Sequence, residues 1–555
     1  MAGGCNRDTG SSQGDQLKEL LTQVLEEFRR EMNEMRITIN NLQSELASAR
    51  EEIKSLTEKN KEIKHQQLQI EEDTKIGWEI YLEEDTKSLQ DELTTCPQGR
   101  DSPGVPGCGG SQMEARFDSD EKLISGCRTE IGEWFLMWFN IKNIIPYYID
   151  CVIDGMKLQY DNVTRTTRND PGVETRIPGF GNTSTVEWLS KDHLYVLSYF
   201  HDIVSSLIPL GYERGVSVRG APYDFRKAPN EMGEYFWDLE QLIETTYAST
   251  EQKVVLVAHS MGAPLIHYFL NHKSQHWKDK HIEALVTFAG TWGGSVKAVN
   301  VYATGDNLGI PFLSSKTARR EQVTLASLVF LLPSPELWGP DEVLIQTPDN
   351  NFTTSNFKEM FEAMELPDAY EMYLDTKGLL HNAPAPGVEI HCIHGEGIPT
   401  VEKMVYHADR FPDYPHIVFG DGDSTVNARS MRHCLKVSYL LTVISVNARS
   451  TRYYKRIKRF WVYPPDGCTS INVGKGVNVE NEGFKWVNEQ EQKIYHVPMS
   501  NIDHMDIIKV EPSLGYLVNL LSTITRRNEQ RAGEKMENFI QSEKRKERIL
   551  NLILV

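Results

Sequence analysis

The stretch VVLVAHSMGAPLIHYFL, from Val254 to Leu270, decides the fold of this 555-residue chain. Five apolar residues, Val254 to Ala258, predict a strand buried on both faces, and the periodic run from Pro264 to Leu270 predicts a helix packed behind it. Ser260 lies in the turn between them, with a small residue two positions away on either side, because a sharp strand-to-helix turn leaves no room for larger side chains. The motif A-H-S-M-G therefore predicts a nucleophilic serine, although a serine in such a loop often only caps a helix.

Composition restricts the class of protein that surrounds this motif. The 59 Lys and Arg residues against 78 Asp and Glu residues give a net charge of −19, which argues against a general nucleic-acid binder. No run of 18 uncharged apolar residues occurs, so the sequence predicts no transmembrane helix. Residues 1–16 lack an apolar segment and predict a disordered terminus without a secretory signal.

Residues 17–75 predict a coiled coil. With Leu25 at position a, every d position from Leu21 to Ile70 is apolar, and charged residues fill the flanking positions. Asn60 at an a position favours a two-stranded arrangement, while a single solvated helix is the alternative. We therefore expect self-association through this segment, followed by a Pro- and Gly-rich linker over residues 76–105.

Strands that alternate with helices downstream indicate an α/β fold with a parallel sheet. Val216 to Val218 and Leu285 to Phe288 predict strands, and residues 232–248 and 314–330 predict helices. Active sites in such sheets lie at the carboxyl ends of the strands, which is where Ser260 stands.

A nucleophilic serine needs a base and a carboxylate, and α/β-hydrolases supply them in the chain order Ser, Asp, His. Asp421 and Asp423 are the best acid candidates, because they follow an apolar strand end in IVFGDGDSTV. A plain turn and a metal site are alternatives for this loop, but its carboxylates fall short of the calcium-loop spacing. His504, in a loop before an apolar helix, is the candidate base. We expect no metal and no cofactor.

Two further stretches leave alternatives open. The loop Pro106 to Gly110 (PGCGG) has backbone N–H groups able to face an anion, yet no apolar strand precedes it, so spacing alone predicts only a turn. Between Cys127 and Cys151, which close a disulfide or remain buried thiols, the chain is rich in aromatic residues. Four of these belong either to the core or to a patch that enters a lipid interface: Trp134, Phe135, Trp138 and Phe139.

From residue 106 to residue 525 the chain resembles the lecithin:cholesterol acyltransferase family, most closely its lysosomal phospholipase A2 branch. The matching stretches are collinear and include PGCGGSQMEARF, DCVIDGMKLQY, IPGFGNTSTVEWL, RGAPYDFRKAPNE, VVLVAHSMG, HWKDKHIEALV, TWGGS, ATGDNLGIP, FGDGDSTVN and DHMDII. The resemblance implies an α/β-hydrolase fold with membrane-binding and cap insertions. It also implies a calcium-independent serine phospholipase A and O-acyltransferase, which forms an acyl-serine and passes the acyl group to water or a lipid alcohol.

The resemblance assigns roles residue by residue. Ser260 is the nucleophile, Asp423, directly before Ser-Thr-Val, is the acid, and His504 is the base. The backbone N–H groups of Met261 and Cys108 form the oxyanion hole. The implied partners are a phospholipid membrane surface and a ceramide-type or sterol alcohol.

The family's disulfides match this chain at two pairs of cysteines. Cys127 and Cys151 close a membrane-binding loop over residues 127–151, and Cys392 matches with Cys434. Both pairs imply an oxidising compartment, namely a lysosomal lumen or secretion. The sequons that begin at three asparagines fit N-glycosylation there: Asn162, Asn182 and Asn351.

Three features depart from the family. The coiled coil and linker stand where the family has an export signal and an apolar first strand. Asp423 and His504 are 81 positions apart, and the excess, residues 437–484, contains ISVNARSTR, a near copy of STVNARSMR, which indicates a partial duplication or retained non-coding sequence. The tail, residues 526–555, is a charged helical stretch with a solvated face.

Two other functions therefore stand beside the phospholipase and acyltransferase. One is a phosphatidylcholine-sterol O-acyltransferase. The other is a coiled-coil interaction protein whose hydrolase domain is compromised by the missing strand and the long insertion.

Overall fold

The computed structural model describes residues 102–118, 132–140, 149–310, 313–380, 383–407, 411–435, 443–445, 493–528 and 530. All of them belong to the unit that spans Gln98–Val555. The predicted disordered terminus, the coiled coil and nearly all of the charged tail lie outside the described residues, so these stay predictions.

The strands, in chain order, are β1 Ser102–Val105, β2 Met113–Phe117, β3 Phe135–Trp138, β4 Leu158–Asp161, β5 Thr166–Asn169, β6 Val173–Arg176, β7 Val218–Gly220, β8 Val254–His259, β9 Ile282–Phe288, β10 Ile345–Gln346, β11 Asn351–Phe352, β12 Glu389–Glu396, β13 Ile398–Val405, β14 His416–Gly422, β15 Val443–Ser445 and β16 Ile494–Ser500.

The α-helices are α1 Ile149–Met156, α2 Ser184–Glu187, α3 His201–Leu207, α4 Gly233–Thr250, α5 Gly262–Asn271, α6 Gln275–His281, α7 Val296–Thr304, α8 Ser315–Gln322, α9 Ala326–Phe330, α10 Phe357–Ala363, α11 Pro367–Leu380, α12 Ala428–Met431 and α13 over residues 511–528. Short 3-10 helices cover Tyr195–Leu197, Ile208–Leu210, Pro229–Glu231, Arg432–Leu435 and Asp506–Ile508.

A central seven-stranded sheet has the order β15-β16-β12-β9-β8-β1-β7, and every neighbouring pair is parallel. Alternate residues of β8 face opposite sides: Leu256 packs in one buried cluster and Val257 in the other. Helices α4 and α5 contribute to the first cluster, and α3 and α13 contribute to the second. The prediction of a strand buried on both faces is therefore confirmed, and the sheet with helices on both faces is the α/β-hydrolase fold.

The strand order places the candidate site. From β1 the chain runs to β7 on one side, and then to β8 on the other side of β1. In parallel sheets, ligands bind in the crevice at the carboxyl ends of strands where the order reverses in this way. Val105, at the end of β1, pairs with Ala258, near the end of β8. The loop that begins at Pro106 and the turn that contains Ser260 therefore emerge side by side.

The prediction of a linker directly before this loop is wrong. Residues 102–105, at the end of the predicted linker, form strand β1 between β7 and β8. A four-residue strand with the sequence SPGV has no run of apolar residues to reveal it. Close packing explains the glycine in this strand, because a Cβ atom on Gly104 would lie 3.3 Å from the Phe200 ring.

Other predicted elements differ in detail. The predicted helix 232–248 corresponds to α4, whereas residues 314–330 form two helices, α8 and α9, because Leu325 between them has an extended backbone. Part of the predicted insertion, Val443–Ser445, forms edge strand β15 beside β16, and the rest of residues 437–484 lies outside the described residues.

Three smaller sheets supplement the central one: β11-β10-β13-β14, β3-β2-β6 and β4-β5. They arise from the long connections that follow β1, β9 and β12. Among the described residues, no helix is both long enough and apolar enough to cross a membrane.

Candidate active site

Ser260 stands on a sharp turn between β8 and α5. Its φ of +52° lies in the left-handed region, and its N–H donates to the carbonyl oxygen of Phe288 at 2.9 Å. Gly262 approaches the neighbouring strand so closely that a Cβ atom would lie 2.6 Å from the carbonyl oxygen of Pro106. The glycine of A-H-S-M-G is therefore a steric requirement of the turn.

His504 lies within hydrogen-bond reach of the serine. Its Nε2 atom is 2.9 Å from the Ser260 hydroxyl oxygen, and its Nδ1 atom is 2.8 Å from Oδ2 of Asp423. Asp423 is fully buried, and Ser260 and His504 are buried as well. A hydroxyl, an imidazole and a carboxylate in this series are able to move a proton from the serine to the histidine.

The structure separates the two acid candidates. The second oxygen of Asp423 accepts from the backbone N–H groups of Thr425 at 3.1 Å and Val426 at 2.7 Å, so the carboxylate is fixed toward His504. Asp421, in contrast, is exposed and accepts from the N–H of Gly397 at 2.7 Å. Only Asp423 of the two contacts the histidine.

The loop Pro106 to Gly110 lies directly against the serine. A Cβ atom on Gly107 would be 2.8 Å from Cβ of Ser260. The loop is held in place by the N–H of Gly110, which donates to Gly107 at 3.1 Å, and by the indole N–H of Trp138, which donates to Gly109 at 2.8 Å. The sequence alone predicts only a turn here; the structure makes this turn one wall of the site.

The N–H of Cys108 in this loop and that of Met261, directly after Ser260, are the two predicted oxyanion donors. Within the part of the chain that the structure describes, neither the N–H of Cys108 nor that of Met261 donates a hydrogen bond. A tetrahedral intermediate on Ser260 places a negatively charged oxygen that needs such donors.

The Cys108 thiol is a poor candidate for chemistry of its own. Its side chain has accessible surface, but loss of hydration to the surrounding protein, with a smaller contribution from Glu321, raises the pKa of the thiol to about 12. A thiol with this pKa stays protonated at physiological pH, and the thiolate is the nucleophilic form.

Sequence reasoning missed two side chains that contact this site. His259, directly before the serine, and Tyr199, 60 positions earlier, are buried beneath the loop and hydrogen-bonded to each other. The histidine of A-H-S-M-G was the only signal in the sequence, and nothing in the pattern around Tyr199 distinguished it from a core residue.

Burial and hydrogen bonding together divide the four aromatic residues that had two possible roles. Phe139 is buried at 7% exposure and packs in the core, and Trp138 is partly buried against Phe225. Trp134 and Phe135 are partly exposed, and the Arg176 guanidinium covers the Trp134 ring at 4.2 Å. Phe139 takes the core role, and Trp138 is tied to the loop by its indole hydrogen bond to Gly109. Membrane contact therefore stays a proposal for Trp134 and Phe135.

The two predicted disulfides have different outcomes. Cys392 on β12 is bonded to Cys434 in the 3-10 helix Arg432–Leu435, as predicted. Cys151 is buried on α1, but Cys127 lies outside the described residues, so their pairing stays a prediction.

The chain is similar in sequence to known proteins. The family model for lecithin:cholesterol acyltransferase matches residues 134–452, which is more than half of the chain. The lysosomal phospholipase A and acyltransferase of Bos taurus is 43% identical over 60% of this chain and 81% of its own length, and that of Homo sapiens is 42% identical over 61% and 82%. The phosphatidylcholine-sterol acyltransferase of Gallus gallus is 40% identical over 60% and 80%. The chain belongs to the lecithin:cholesterol acyltransferase family.

Proposed function

We propose that this chain is a serine phospholipase A and O-acyltransferase that acts on glycerophospholipids without calcium. The observation that carries the proposal is the hydrogen-bonded series of Ser260, His504 and Asp423 beside the N–H groups of Cys108 and Met261, which have no acceptor among the described residues. The substrate class comes from the relatives, because proteins more than 40% identical over four fifths of their length are named phospholipase A and acyltransferase.

In the first half of the reaction, His504 Nε2 takes the proton of the Ser260 hydroxyl while the serine oxygen attacks the carbonyl carbon of an acyl ester. The oxygen that becomes negatively charged is bound by the N–H groups of Cys108 and Met261. The intermediate then collapses, the ester bond to the glycerol oxygen breaks, and His504 gives its proton to the departing lysophospholipid. The acyl group remains on Ser260.

In the second half, water or a lipid alcohol replaces the lysophospholipid. His504 takes the proton of the acceptor hydroxyl as its oxygen attacks the acyl-serine, and returns that proton to Ser260 when the acyl–serine bond breaks. Asp423 holds the imidazole in one tautomer through both halves. A ceramide-type alcohol is the lipid acceptor we propose, and a sterol is the alternative.

The surroundings of the reaction are part of the proposal. Trp134 and Phe135 are partly exposed aromatic residues on or next to β3, and we assign to them contact with a phospholipid surface. The Cys392–Cys434 disulfide fits an oxidising compartment, and we propose the lysosome or the secretory route. Self-association through the coiled coil is proposed from sequence alone.

The alternative of a compromised hydrolase domain depended in part on a missing first strand. Strand β1 occupies that position, and the loop after it lies against Ser260. An active enzyme is therefore favoured over an inactive interaction protein.

The test is the release of fatty acid from vesicles of phosphatidylcholine with an anionic phospholipid, at acidic and at neutral pH, with and without chelator. We expect release that the chelator leaves unchanged. Adding ceramide and cholesterol in competition, with the acylated products separated, identifies the acceptor; acylated cholesterol as the main product would favour the sterol alternative.

Ser260→Ala is the matched control for this test. The variant should lose release and labelling by a fluorophosphonate, while its melting temperature stays near that of the wild type, because alanine accepts the same backbone conformation. Release that survives in Ser260→Ala would remove this serine from the mechanism. A folded wild type with neither release nor labelling would reject the proposed function.

A further inference from the structure

His504 is held on its main chain as well as on its ring. Its N–H donates to the carbonyl oxygen of Asp423 at 2.9 Å, and its own carbonyl oxygen lies 3.0 Å from Nε2 of His259. His259 and Ser260, which are neighbours in sequence, therefore contact two different parts of the same histidine: one the backbone and the other the imidazole.

The second ring nitrogen of His259 is connected through Tyr199 to the loop Pro106 to Gly110. Its Nδ1 atom is 2.5 Å from the hydroxyl oxygen of Tyr199, and that oxygen accepts from the N–H of Gly107 at 2.9 Å. The series runs from the loop to the base: Gly107, Tyr199, His259 and the carbonyl group of His504. All the atoms that form these bonds are buried.

The direction of each hydrogen bond follows from the chemistry of its ends. A backbone N–H only donates, so the Tyr199 oxygen accepts from Gly107 and its own proton is free to go to His259 Nδ1. A carbonyl oxygen only accepts, so His259 Nε2 carries the proton that faces His504. Both requirements are met by the neutral tautomer of His259 that carries its proton on Nε2 and leaves Nδ1 as the acceptor. Burial, with a contribution from His504, lowers the pKa of His259 well below its usual value, which keeps that form.

A second tyrosine fixes the same peptide group of the loop from its other end. The hydroxyl of Tyr223 donates to the carbonyl oxygen of Pro106 at 3.0 Å. Both polar groups of the Pro106–Gly107 peptide are thus bound by buried tyrosines, and the direction of the next N–H, that of Cys108, depends on the plane of this peptide. Tyr223 has no hydrogen bond to His259 in the described residues, so it serves as a comparison for Tyr199.

We propose that Tyr199 and His259 are positioning residues that set the oxyanion loop and the base at a fixed separation across Ser260. The inference rests on the proposed function, because it assigns the loop and His504 their roles in acyl transfer. The two residues touch neither substrate nor the reacting atoms. They hold the N–H of Cys108 and the imidazole of His504 in the geometry that the transition state needs, before substrate arrives.

The experiment compares Tyr199→Phe, Tyr223→Phe and Tyr302→Phe. Tyr302→Phe is the control for loss of a buried hydroxyl, because Tyr302 is fully buried and its hydroxyl donates to the carbonyl oxygen of Leu325 at 3.3 Å, outside this series. We expect Tyr199→Phe to lower kcat by about 10- to 100-fold with KM nearly unchanged, since small misplacements of reacting groups have effects of this size. Tyr199→Phe should also shift the pH profile of kcat/KM, while Tyr223→Phe lowers kcat without that shift.

His259→Gln adds a double-mutant test. Glutamine keeps an N–H donor toward the His504 carbonyl group but has no counterpart of the ring Nδ1 atom that faces Tyr199. If the two residues act as one series, the double variant should be no slower than the slower single variant. Independent effects that multiply, or a Tyr199→Phe enzyme that differs from Tyr302→Phe only in melting temperature, would overturn the proposal.

A readout without turnover keeps this inference separate from the proposed function. In Ser260→Ala protein labelled with 15N-histidine, we expect the signal of a neutral histidine with its proton on Nε2 that disappears in His259→Gln, while the signal of His267, whose Nε2 also faces a carbonyl oxygen, stays. Tyr199→Phe should move the ring signals of His504. Unchanged His504 signals would reject the positioning role even if no substrate were ever turned over, and inactive wild type with the expected signals would reject only the proposed function.

Discussion

Asp423 and His504 are joined at two points, by a ring-to-carboxylate contact of 2.8 Å and by a backbone hydrogen bond of 2.9 Å. The backbone bond fixes where the histidine lies, and the carboxylate contact fixes which ring nitrogen faces Ser260. A change in the carboxylate alone therefore alters the tautomer and leaves the position of the residue in place.

We expect Asp423→Asn to lower kcat/KM by roughly 10⁴-fold, the loss that a wrong histidine tautomer causes in such triads. Asp421→Asn is the matched control two positions away, since Asp421 is exposed and binds Gly397 and Arg432 rather than His504. Vesicle hydrolysis by the two purified variants provides the measurement. A larger loss in Asp421→Asn would mean that the wrong carboxylate has been assigned.

Gly262→Ala should destabilise the domain by about 1–3 kcal/mol, as overpacking does, and should also lower kcat. The added methyl group would lie within 2.7 Å of the carbonyl oxygens of Val105 and Pro106, so relief of the clash displaces the oxyanion loop. Gly378→Ala, at an exposed position of helix α11 with nothing near its Cβ position, is the control and should stabilise by about 0.5 kcal/mol. Equal unfolding free energies for the two variants would contradict this account of the turn.

Glu321→Gln tests a buried carboxyl group on α8. Burial raises the pKa of Glu321 to about 8, although Arg226 lowers it. Between its ordinary value of 4.5 and about 8, the folded protein holds a proton that the unfolded chain releases, so stability falls as the pH rises through this window.

The neutral glutamine removes this dependence. We expect the free energy of unfolding of the variant, relative to that of the wild type, to rise by up to about 1.4 kcal/mol per pH unit above pH 4.5, with little difference at pH 4.5. Urea unfolding at several pH values measures this rise. Glu251→Gln, at an exposed position, should show none. A stability difference between Glu321→Gln and wild type that is the same at every pH would show that the carboxyl group does not take up the proton.

Removal of the Cys392–Cys434 disulfide should lower the free energy of unfolding by roughly 4 kcal/mol, because the bond closes a loop of 42 positions in the unfolded chain. This loop contains Asp423, so the double variant Cys392→Ala and Cys434→Ala should lose activity at lower temperature than the wild type. Thermal inactivation with and without reductant gives the comparison. An inactivation temperature that reductant lowers equally in the double variant would place the sensitive bond elsewhere.

Local patterns predicted the centre of the site. The strand, turn and helix around Ser260 follow from nearest-neighbour sequence, and the order Ser, Asp, His followed from the fold class. The choice of Asp423 over Asp421 needed the family resemblance, because both stand in the same glycine-containing loop. Backbone N–H donors to its second oxygen distinguish Asp423, and these bonds form only in the folded loop.

Features that depend on tertiary contact were not predictable. Tyr199 acquires its role from Gly107 and His259, which are 92 and 60 positions away. Nothing in the sequence distinguishes Phe139 from the aromatic residues beside it, and only its packing in the fold places it in the core. Strand β1 has too few residues for periodicity, and its identity as a strand comes from the partners on either side.

The position of β1 has a consequence for how the chain is made. Gly104 pairs with Gly220 on one side and Val257 on the other, so the first strand of the central sheet leaves the ribosome more than a hundred residues before either partner. Contacts between such distant segments form slowly, and until β1 is inserted, β7 and β8 each present an unpaired edge. A shortened form that starts after Val105 would keep Ser260, Asp423 and His504. Without β1, however, the edges of β7 and β8 would stay unpaired. Aggregation during synthesis, rather than a soluble inactive enzyme, is the outcome we expect for it.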